Sequence, residues 1–286
     1  MKKILVTGAT GFIGKALTQE LENQKMSIIK VSSQDGDIAD SITLEKYKDE
    51  AVAHVIHLAA KTFVPDSWKN PKDFYEANFN GTLNVLDFCR EKRAGLTYIS
   101  TYVYGQPERN PIKEEDRISS NNPYGHSKYL AEQLCEFYAQ QFDVNIKIIR
   151  PFNVYGIGQK DNFLIPHIIK QAMDEENIEV MDLNPKRDYI YIKDLVQAII
   201  LTIKSVDKFG IYNIGYGKSY SVAEIIEKVQ NILGTNKLVI SKKSIRKNEI
   251  NDVIADINKA KEKLGWQPKY TIEEGLKEII ECGREK

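Results

Sequence analysis

The sequence lacks the features that identify disulfide-bonded, zinc-binding, nucleic-acid-binding, membrane and secreted proteins. Only three of its 286 residues are cysteines, and no two of them form a CxxC pair, which argues against a disulfide framework and a zinc site. The 40 basic and 40 acidic residues balance and form no basic stripe, so nucleic-acid binding has no support. The longest apolar run, Ala198–Ile203, is too short to cross a bilayer, and the first apolar run ends at Thr7, too early for a signal peptide. We therefore expect a soluble cytoplasmic protein with no metal, nucleic-acid or membrane partner.

The first residues read as a strand, a glycine turn and a helix. Lys3–Thr7 is an apolar, β-branched run typical of a parallel sheet, and Gly8, Gly11 and Gly14 follow it directly, before an amphipathic helix. Glycines let the backbone approach a pyrophosphate closely, and a helix N-terminus offers free N–H groups. The spacing is GxxGxxG rather than GxGxxG, and an ordinary glycine turn is the alternative. The flanking strand and helix favour a dinucleotide site.

The end of the second strand bears on the choice of dinucleotide. The predicted strand Ser27–Val31 ends in Ser32 and Ser33, where a site for NAD usually places an acid against the ribose 2′-hydroxyl. Asp35 and Asp37 follow slightly downstream and could serve, but two serines suit a 2′-phosphate at least as well. The choice between NAD and NADP therefore stays open.

Strands and helices alternate to about residue 150. Further strands are predicted at Val52–Leu58, Leu96–Ser100 and Asn145–Ile149, with a long helix at Pro71–Arg93. Asn78 and Gly81 are costly residues inside that helix, and they predict a polar contact and a close approach. The alternation predicts an α/β fold with a right-handed, doubly wound parallel sheet.

A Tyr and a Lys lie four residues apart where a further helix is predicted to begin. Pro123 comes directly before Tyr124, and Lys128 follows one turn later on the same helix face. An ammonium group favours the phenolate form of a nearby phenol, whose unperturbed pKa of about 10 is otherwise too high for a base at neutral pH. The pair can thus transfer a proton. Such pairs also occur by chance on solvated helix faces, so the rest of the chain must support this role.

Taken together, these motifs resemble the extended short-chain dehydrogenase/reductase family, in particular its nucleotide-sugar epimerase, dehydratase and reductase branch. The resemblance covers nearly the whole chain. It rests on the glycine turn, Gly36–Ile38, His57–Ala60, Asn78–Thr82, Ser100–Gly105, the Tyr124–Lys128 pair, Arg150–Gly156, Arg187–Tyr191, Arg246 with Glu249 and Asp256, and Leu264–Pro268. It implies a Rossmann-type dinucleotide-binding domain of residues 1–151 plus about 186–206. It also implies a smaller, mostly C-terminal α/β substrate domain of residues 152–185 plus 207–286.

The resemblance further implies roles for individual residues. The catalytic hydroxyl would be Ser100, three residues before Val103, with Thr101 as the alternative if the register slips by one. Tyr124 would give or take the proton, and Lys128 would hold the nicotinamide ribose. The cofactor, NAD or NADP, would be bound by those two residues and by Gly8, Thr10, Gly11, Phe12, Ile13, Ser32, Ser33, Asp37, Ile38, Leu58, Ala59, Ala60 and Asn78. A nucleotide-diphosphate sugar would be bound by Asn153, Arg187 and Arg246, since the arginine fork donates two hydrogen bonds to phosphate.

Departures from the family patterns reduce the number of reactions that the chain could catalyse. The 4,6-dehydratases carry Asp and Glu directly after the catalytic Thr, and the decarboxylases place a Glu just before the Val, whereas this chain has Thr101 and Tyr102 there. Neither side chain can replace a carboxylate as a base at neutral pH. A 4-keto-sugar-nucleotide reductase and a 4-epimerase remain. Ser32 and Ser33 and the short chain favour the reductase.

Two further expectations concern activity and assembly. A dinucleotide-binding sensor that lost its chemistry is a distant alternative, and the presence of Ser100, Tyr124 and Lys128 argues against it. The family commonly forms homodimers through two helices, for which the candidates here are Pro71–Arg93 and Tyr124–Phe142.

Overall fold

The structure is a computed structural model that describes residues 2–242 and 250–284. Its strands, in chain order, are β1 (Lys3–Thr7), β2 (Ile28–Val31), β3 (Val52–His57), β4 (Gly95–Ile99), β5 (Ile146–Pro151), β6 (Asn153–Tyr155), β7 (Asn177–Val180), β8 (Lys186–Tyr191), β9 (Phe209–Ile214), β10 (Ser219–Ser221) and β11 (Leu238–Ser241). Its α-helices are α1 (Phe12–Asn23), α2 (Ile42–Glu45), α3 (Val64–Lys69), α4 (Pro71–Tyr75), α5 (Gly81–Lys92), α6 (Pro123–Gln141), α7 (Leu164–Asp174), α8 (Ile192–Lys204), α9 (Val222–Leu233), α10 (Asn258–Leu264) and α11 (Ile272–Arg284). None of these helices is long and apolar enough to cross a membrane.

The largest sheet has six parallel strands in the order β2-β1-β3-β4-β5-β9. Successive residues of β1 face opposite sides of it: Leu5 packs with α5 and α6, and Val6 packs with α1 and α8. The strand order reverses between β1 and β3, and at such a point a crevice opens outside the carboxyl ends of the strands. The predicted doubly wound parallel sheet is confirmed.

The C-terminal part contains two smaller sheets. One has the order β10-β8-β6, and the other pairs β11 with β7. Residues of α7 and α9 belong to the same hydrophobic cluster as residues of α1, β5 and α8. The two parts of the molecule therefore share a core.

Two predicted domain boundaries differ from the observed sheets. Strand β8 was assigned with residues 186–206 to the dinucleotide-binding part, but it pairs with β6 and β10 in a small sheet. Strand β9 was assigned to the substrate part, but it runs parallel to β5 at the edge of the large sheet. Short apolar strands look alike in sequence whichever sheet they join, because the choice depends on contacts between residues far apart in the chain.

The predicted helix over 71–93 is present with an irregularity. A π-helical segment, Glu76–Asn80, joins α4 to α5. Its Asn78 is buried and exchanges hydrogen bonds with the backbone of Lys61, 2.9 Å from Oδ1 to N and 3.0 Å from Nδ2 to O. A Cβ on Gly81 would lie 2.8 Å from Ile38 Cγ2. The predicted polar contact and close approach are both confirmed, and π turns are frequent at functional sites.

A buried ion pair fixes α6 to the sheet. Arg150 on β5 and Glu132 on α6 are 2 % and 3 % exposed, with 2.6 Å from Nη2 to Oε2. Arg150 Nη1 also donates to the Tyr104 hydroxyl at 2.7 Å and to the Glu114 carbonyl at 3.0 Å. The Tyr104 hydroxyl in turn donates to Asn213 on β9. One side chain thus connects the helix of the Tyr–Lys pair to the loop that follows β4.

Candidate active site

The turn after β1 has room only for glycine at two positions. Gly8 has a φ of +69°, and a Cβ there would lie 2.7 Å from Ala59 N. A Cβ on Gly14 would lie 2.1 Å from Gly8 O. Helix α1 begins at Phe12, and its N-cap, Gly11, provides no side-chain cap. The first amides of α1 are therefore available to an anion, as a pyrophosphate requires.

The predicted adenosine-binding residues follow β2. Asp35 folds back onto Ser32, with its Oδ2 2.8 Å from Ser32 N and 3.0 Å from Ser32 Oγ. Asp37 is exposed and accepts from Ala39 N at 2.9 Å. These bonds hold two carboxylates beside the end of β2, where a ribose hydroxyl could bind them.

The end of β3 lies beside the glycine turn. Leu58, Ala59 and Ala60 are half-buried there, and Ala59 N donates to Thr7 Oγ1 at 3.3 Å. His57 is fully buried between two hydroxyls, 2.7 Å from Thr7 Oγ1 and 3.1 Å from Thr82 Oγ1. Burial and the nearby Lys128 lower the pKa of His57 to about 3. This histidine is a neutral packing residue.

The Tyr–Lys pair lies in the first two turns of α6. The helix is capped by Asn122, whose Oδ1 accepts from Gly125 N at 2.8 Å. Tyr124 is half-buried, and the side chain of Thr101 lies close enough to lower the pKa of its phenol. Lys128 is 2 % exposed, and its Nζ lies 4.2 Å from the centroid of the Tyr98 ring. The structure thus brings together a hydroxyl, a phenol and an amine at the carboxyl edge of the large sheet.

Burial controls the protonation of both ionisable groups. It raises the pKa of Tyr124 to about 12, against a smaller lowering effect of the Thr101 side chain. It lowers the pKa of Lys128 to about 7, although Cys135 and Glu132 act in the opposite direction. The phenol is therefore protonated at neutral pH and ready to donate its proton.

Of the two hydroxyls that the sequence offers, that of Thr101 lies close enough to Tyr124 to lower the pKa of its phenol. Ser100 is 3 % exposed, and its Oγ has no hydrogen-bond partner within the described ranges. Its backbone N still donates to Ile149 O on β5 at 2.8 Å. Ser100, three residues before Val103, therefore stays the first candidate for the catalytic hydroxyl, with Thr101 as the alternative.

The predicted substrate residues lie on the small sheet. Arg187 Nη1 donates to Ile250 O at 2.6 Å, and Asn153 Nδ2 donates to Asp188 O at 3.3 Å. Arg246 lies outside the described residues. Asp188, between Arg187 and Tyr189, has no role in the sequence prediction, yet it is fully buried and accepts from the backbone N of Tyr216, Gly217 and Ala255 at 2.6–3.0 Å. It ties β8 to two neighbouring segments.

This fold and this set of side chains define an enzyme that uses a nicotinamide dinucleotide. A family model described as the NAD dependent epimerase/dehydratase family matches residues 4–215, and the chain belongs to that family. Its cofactor is NAD or NADP, which the glycine turn and the open end of α1 fit.

Relatives of the whole chain include both epimerases and reductases. A UDP-glucose 4-epimerase of Lactobacillus helveticus is 28% identical over 94% of this chain and 92% of its own length. A GDP-6-deoxy-D-mannose reductase of Pseudomonas aeruginosa is 29% identical over 98% of this chain and 96% of its own. The structure of RMD from Pseudomonas aeruginosa complexed with NADPH superposes with a TM-score of 0.90, at 28% identity over 98% of both chains.

Proposed function

We propose that the protein reduces a 4-keto sugar of a nucleotide-diphosphate sugar, by hydride transfer to C4. Full-length similarity to a reductase of sugar nucleotides supports this proposal. It is further supported by Asn153 and Arg187, which lie on neighbouring strands with side chains suited to a sugar hydroxyl and a phosphate.

The position of Tyr124 one helical turn before Lys128, at the start of α6, is the observation that carries the proposal. The bound cofactor would supply the hydride. As negative charge develops on the sugar oxygen, Tyr124 would donate its proton to that oxygen, and Ser100 would hydrogen-bond the same oxygen with its unpartnered hydroxyl. Lys128, one turn further along α6, would favour the resulting phenolate when its amine is protonated. Reduction needs the phenol in its protonated form at the outset, as burial holds it here.

A nucleotide-sugar 4-epimerase is the second candidate. It would use the same residues to oxidise C4 and then return the hydride to the other face of the sugar. The carboxylate of Asp35 at the end of β2 favours it, because an acid there suits the unphosphorylated ribose of a permanently bound NAD. Full-length similarity to an epimerase of similar size also weakens the argument that this chain is too short for an epimerase.

Elimination and loss of activity remain distant alternatives. Tyr102, at the position of the missing carboxylate, stacks on Phe152 with ring centroids 5.3 Å apart, and it offers no acid–base pair for a 4,6-dehydratase. The presence of Ser100, Tyr124 and Lys128 argues against a sensor without chemistry.

The test mixes the purified protein with NADH or NADPH and a 4-keto-6-deoxy sugar nucleotide. A reductase consumes reduced cofactor in proportion to substrate, followed by absorbance, whereas interconversion of 4-epimers without added cofactor would establish the epimerase instead. Tyr124→Phe should lower the rate by about 10²-fold or more with the dinucleotide still bound. Tyr138→Phe, on the same helix, is the matched control. A Tyr124→Phe enzyme that turns over at the wild-type rate would contradict the proposal.

We also propose that the protein is a cytoplasmic homodimer. Its cysteines are free within the described ranges, as in a reducing compartment. Helices α4, α5 and α6 pack on one another, and α6 ends in an exposed Phe137, with Phe142 just beyond it. Sedimentation analysis tests the assembly, and a monomer at micromolar concentration would contradict it.

A further inference from the structure

One buried tyrosine hydroxyl has nothing to bond to. Tyr189 on β8 is 6 % exposed, and its hydroxyl has no hydrogen-bond partner in the described part of the chain. Neighbouring buried tyrosines do have partners: Tyr104 bonds Asn213, Tyr155 lies 3.5 Å from Thr271 O, and Tyr191 bonds Glu278. Since buried polar groups are as a rule hydrogen-bonded, the exception calls for a partner that comes from outside the chain.

The position of this hydroxyl indicates what that partner is. Tyr189 lies two residues after Arg187, so both side chains project from the same face of β8. Its register partner on β6 is Asn153. The guanidinium of Arg187 and the phenol of Tyr102 are both close enough to influence the Tyr189 phenol electrostatically.

Tyr102 connects this position to the catalytic pair. It directly follows Thr101, its ring is stacked on Phe152, and its phenol also influences Tyr124 electrostatically. Tyr189 thus has Tyr102, next to the catalytic residues, as one neighbour and Arg187, whose guanidinium suits a phosphate, as another. In a nucleotide sugar, the group between the reacting carbon and the diphosphate is the sugar ring.

We propose that the Tyr189 hydroxyl hydrogen-bonds a hydroxyl group of the sugar ring in the bound nucleotide sugar and so selects for it. This inference rests on the proposed function and assigns a specificity residue within it. A phenol both donates and accepts, so it matches a ring hydroxyl in either role. A site that provides a hydrogen bond for one substrate hydroxyl discriminates strongly against sugars that lack it.

The test compares Tyr189→Phe with Tyr191→Phe, a buried tyrosine two residues further along β8 whose hydroxyl bonds Glu278. The probes are UDP-glucose, dTDP-glucose and GDP-mannose, each paired with its nucleoside diphosphate, and calorimetry on the protein loaded with NAD gives each dissociation constant. For the best-bound sugar nucleotide, Tyr189→Phe should raise the dissociation constant about tenfold. It should leave that of the diphosphate unchanged. Tyr191→Phe should change neither.

The ratio of the two dissociation constants is taken within each variant, so altered stability does not affect it. Thermal unfolding without ligand provides a separate check, in which Tyr189→Phe should be at least as stable as wild type because it removes an unpaired buried hydroxyl. An unchanged ratio in Tyr189→Phe would overturn this inference alone. Failure of the wild-type protein to bind any nucleotide sugar would overturn the proposed function and this inference with it.

Discussion

Removing the charge of Glu132 should cost the protein a large part of its stability. Its carboxylate accepts three hydrogen bonds from Arg150, at 3.1 and 3.2 Å from Nε and 2.6 Å from Nη2. Burial disfavours the guanidinium charge, but Glu132 and Tyr104 outweigh that effect and raise the pKa of Arg150. Glu132→Gln keeps the shape and leaves a cation buried without its anion. Breaking such a pair from one side costs about 3–5 kcal/mol, and we expect the lower end because the amide oxygen can still accept.

Urea unfolding measures this change. With a slope of about 3 kcal/mol/M for a chain of this size, a loss of about 3 kcal/mol lowers the midpoint by about 1 M. Lys208→Ala is the control, because its ion pair with Asp143 is 78% and 76% exposed and should contribute less than about 1 kcal/mol.

A second variant separates the loss of the pair from the isolated charge. Glu132→Leu combined with Arg150→Met removes both ions and should be clearly more stable than Glu132→Gln, since no charge is left buried. A loss of less than about 1 kcal/mol in Glu132→Gln would refute the reasoning. It would mean that Tyr104, the Glu114 carbonyl or water solvates the guanidinium adequately without its carboxylate.

Two further predictions concern the catalytic cluster. Ser100→Ala should lower the rate about 10²-fold, because its buried hydroxyl has no partner among the described residues and is left for the reacting oxygen of a substrate, whereas Thr101→Val should cost at least tenfold less; equal losses in single-turnover assays would contradict this assignment. Burial lowers the pKa of Lys128 to about 7, while an unfolded lysine titrates near about 10.4, so between these values the unfolded chain binds more protons. The stability of the nucleotide-free protein, from urea unfolding, should therefore rise with pH above about 7, by at most about 1.4 kcal/mol per pH unit relative to Lys128→Met. Parallel pH profiles for the two proteins would contradict it.

The features that sequence predicts well are those set by near neighbours in the chain. The strand before Gly8 and the helix after it follow from a few adjacent residues, and only glycine fits Gly8 and Gly14. The Tyr124–Lys128 pair follows from a single helix whose start is marked by Pro123.

The features that sequence missed depend on distant contacts. The missing partner of the buried Ser100 hydroxyl depends on how the chain packs after β4 ends, where periodicity no longer applies. Asp188 is defined by amides that follow it by 28, 29 and 67 residues. That the Tyr189 hydroxyl is buried without a partner among the described residues becomes visible only once the chain has packed around it.

The position of β9 at the edge of the large sheet affects how the chain folds while it is being synthesised. Strand β5 ends at Pro151, but its outer neighbour starts only at Phe209, so a growing chain displays an unpaired edge of β5 while the intervening segment is synthesised. At ribosomal rates of about 5–20 residues per second, that interval lasts roughly 3 to 12 seconds. During this time β5 offers an open edge to other chains. A chain truncated within this window would carry five of the six strands with an open edge on β5 and should be prone to aggregate, so the demand for chaperones should be greatest there.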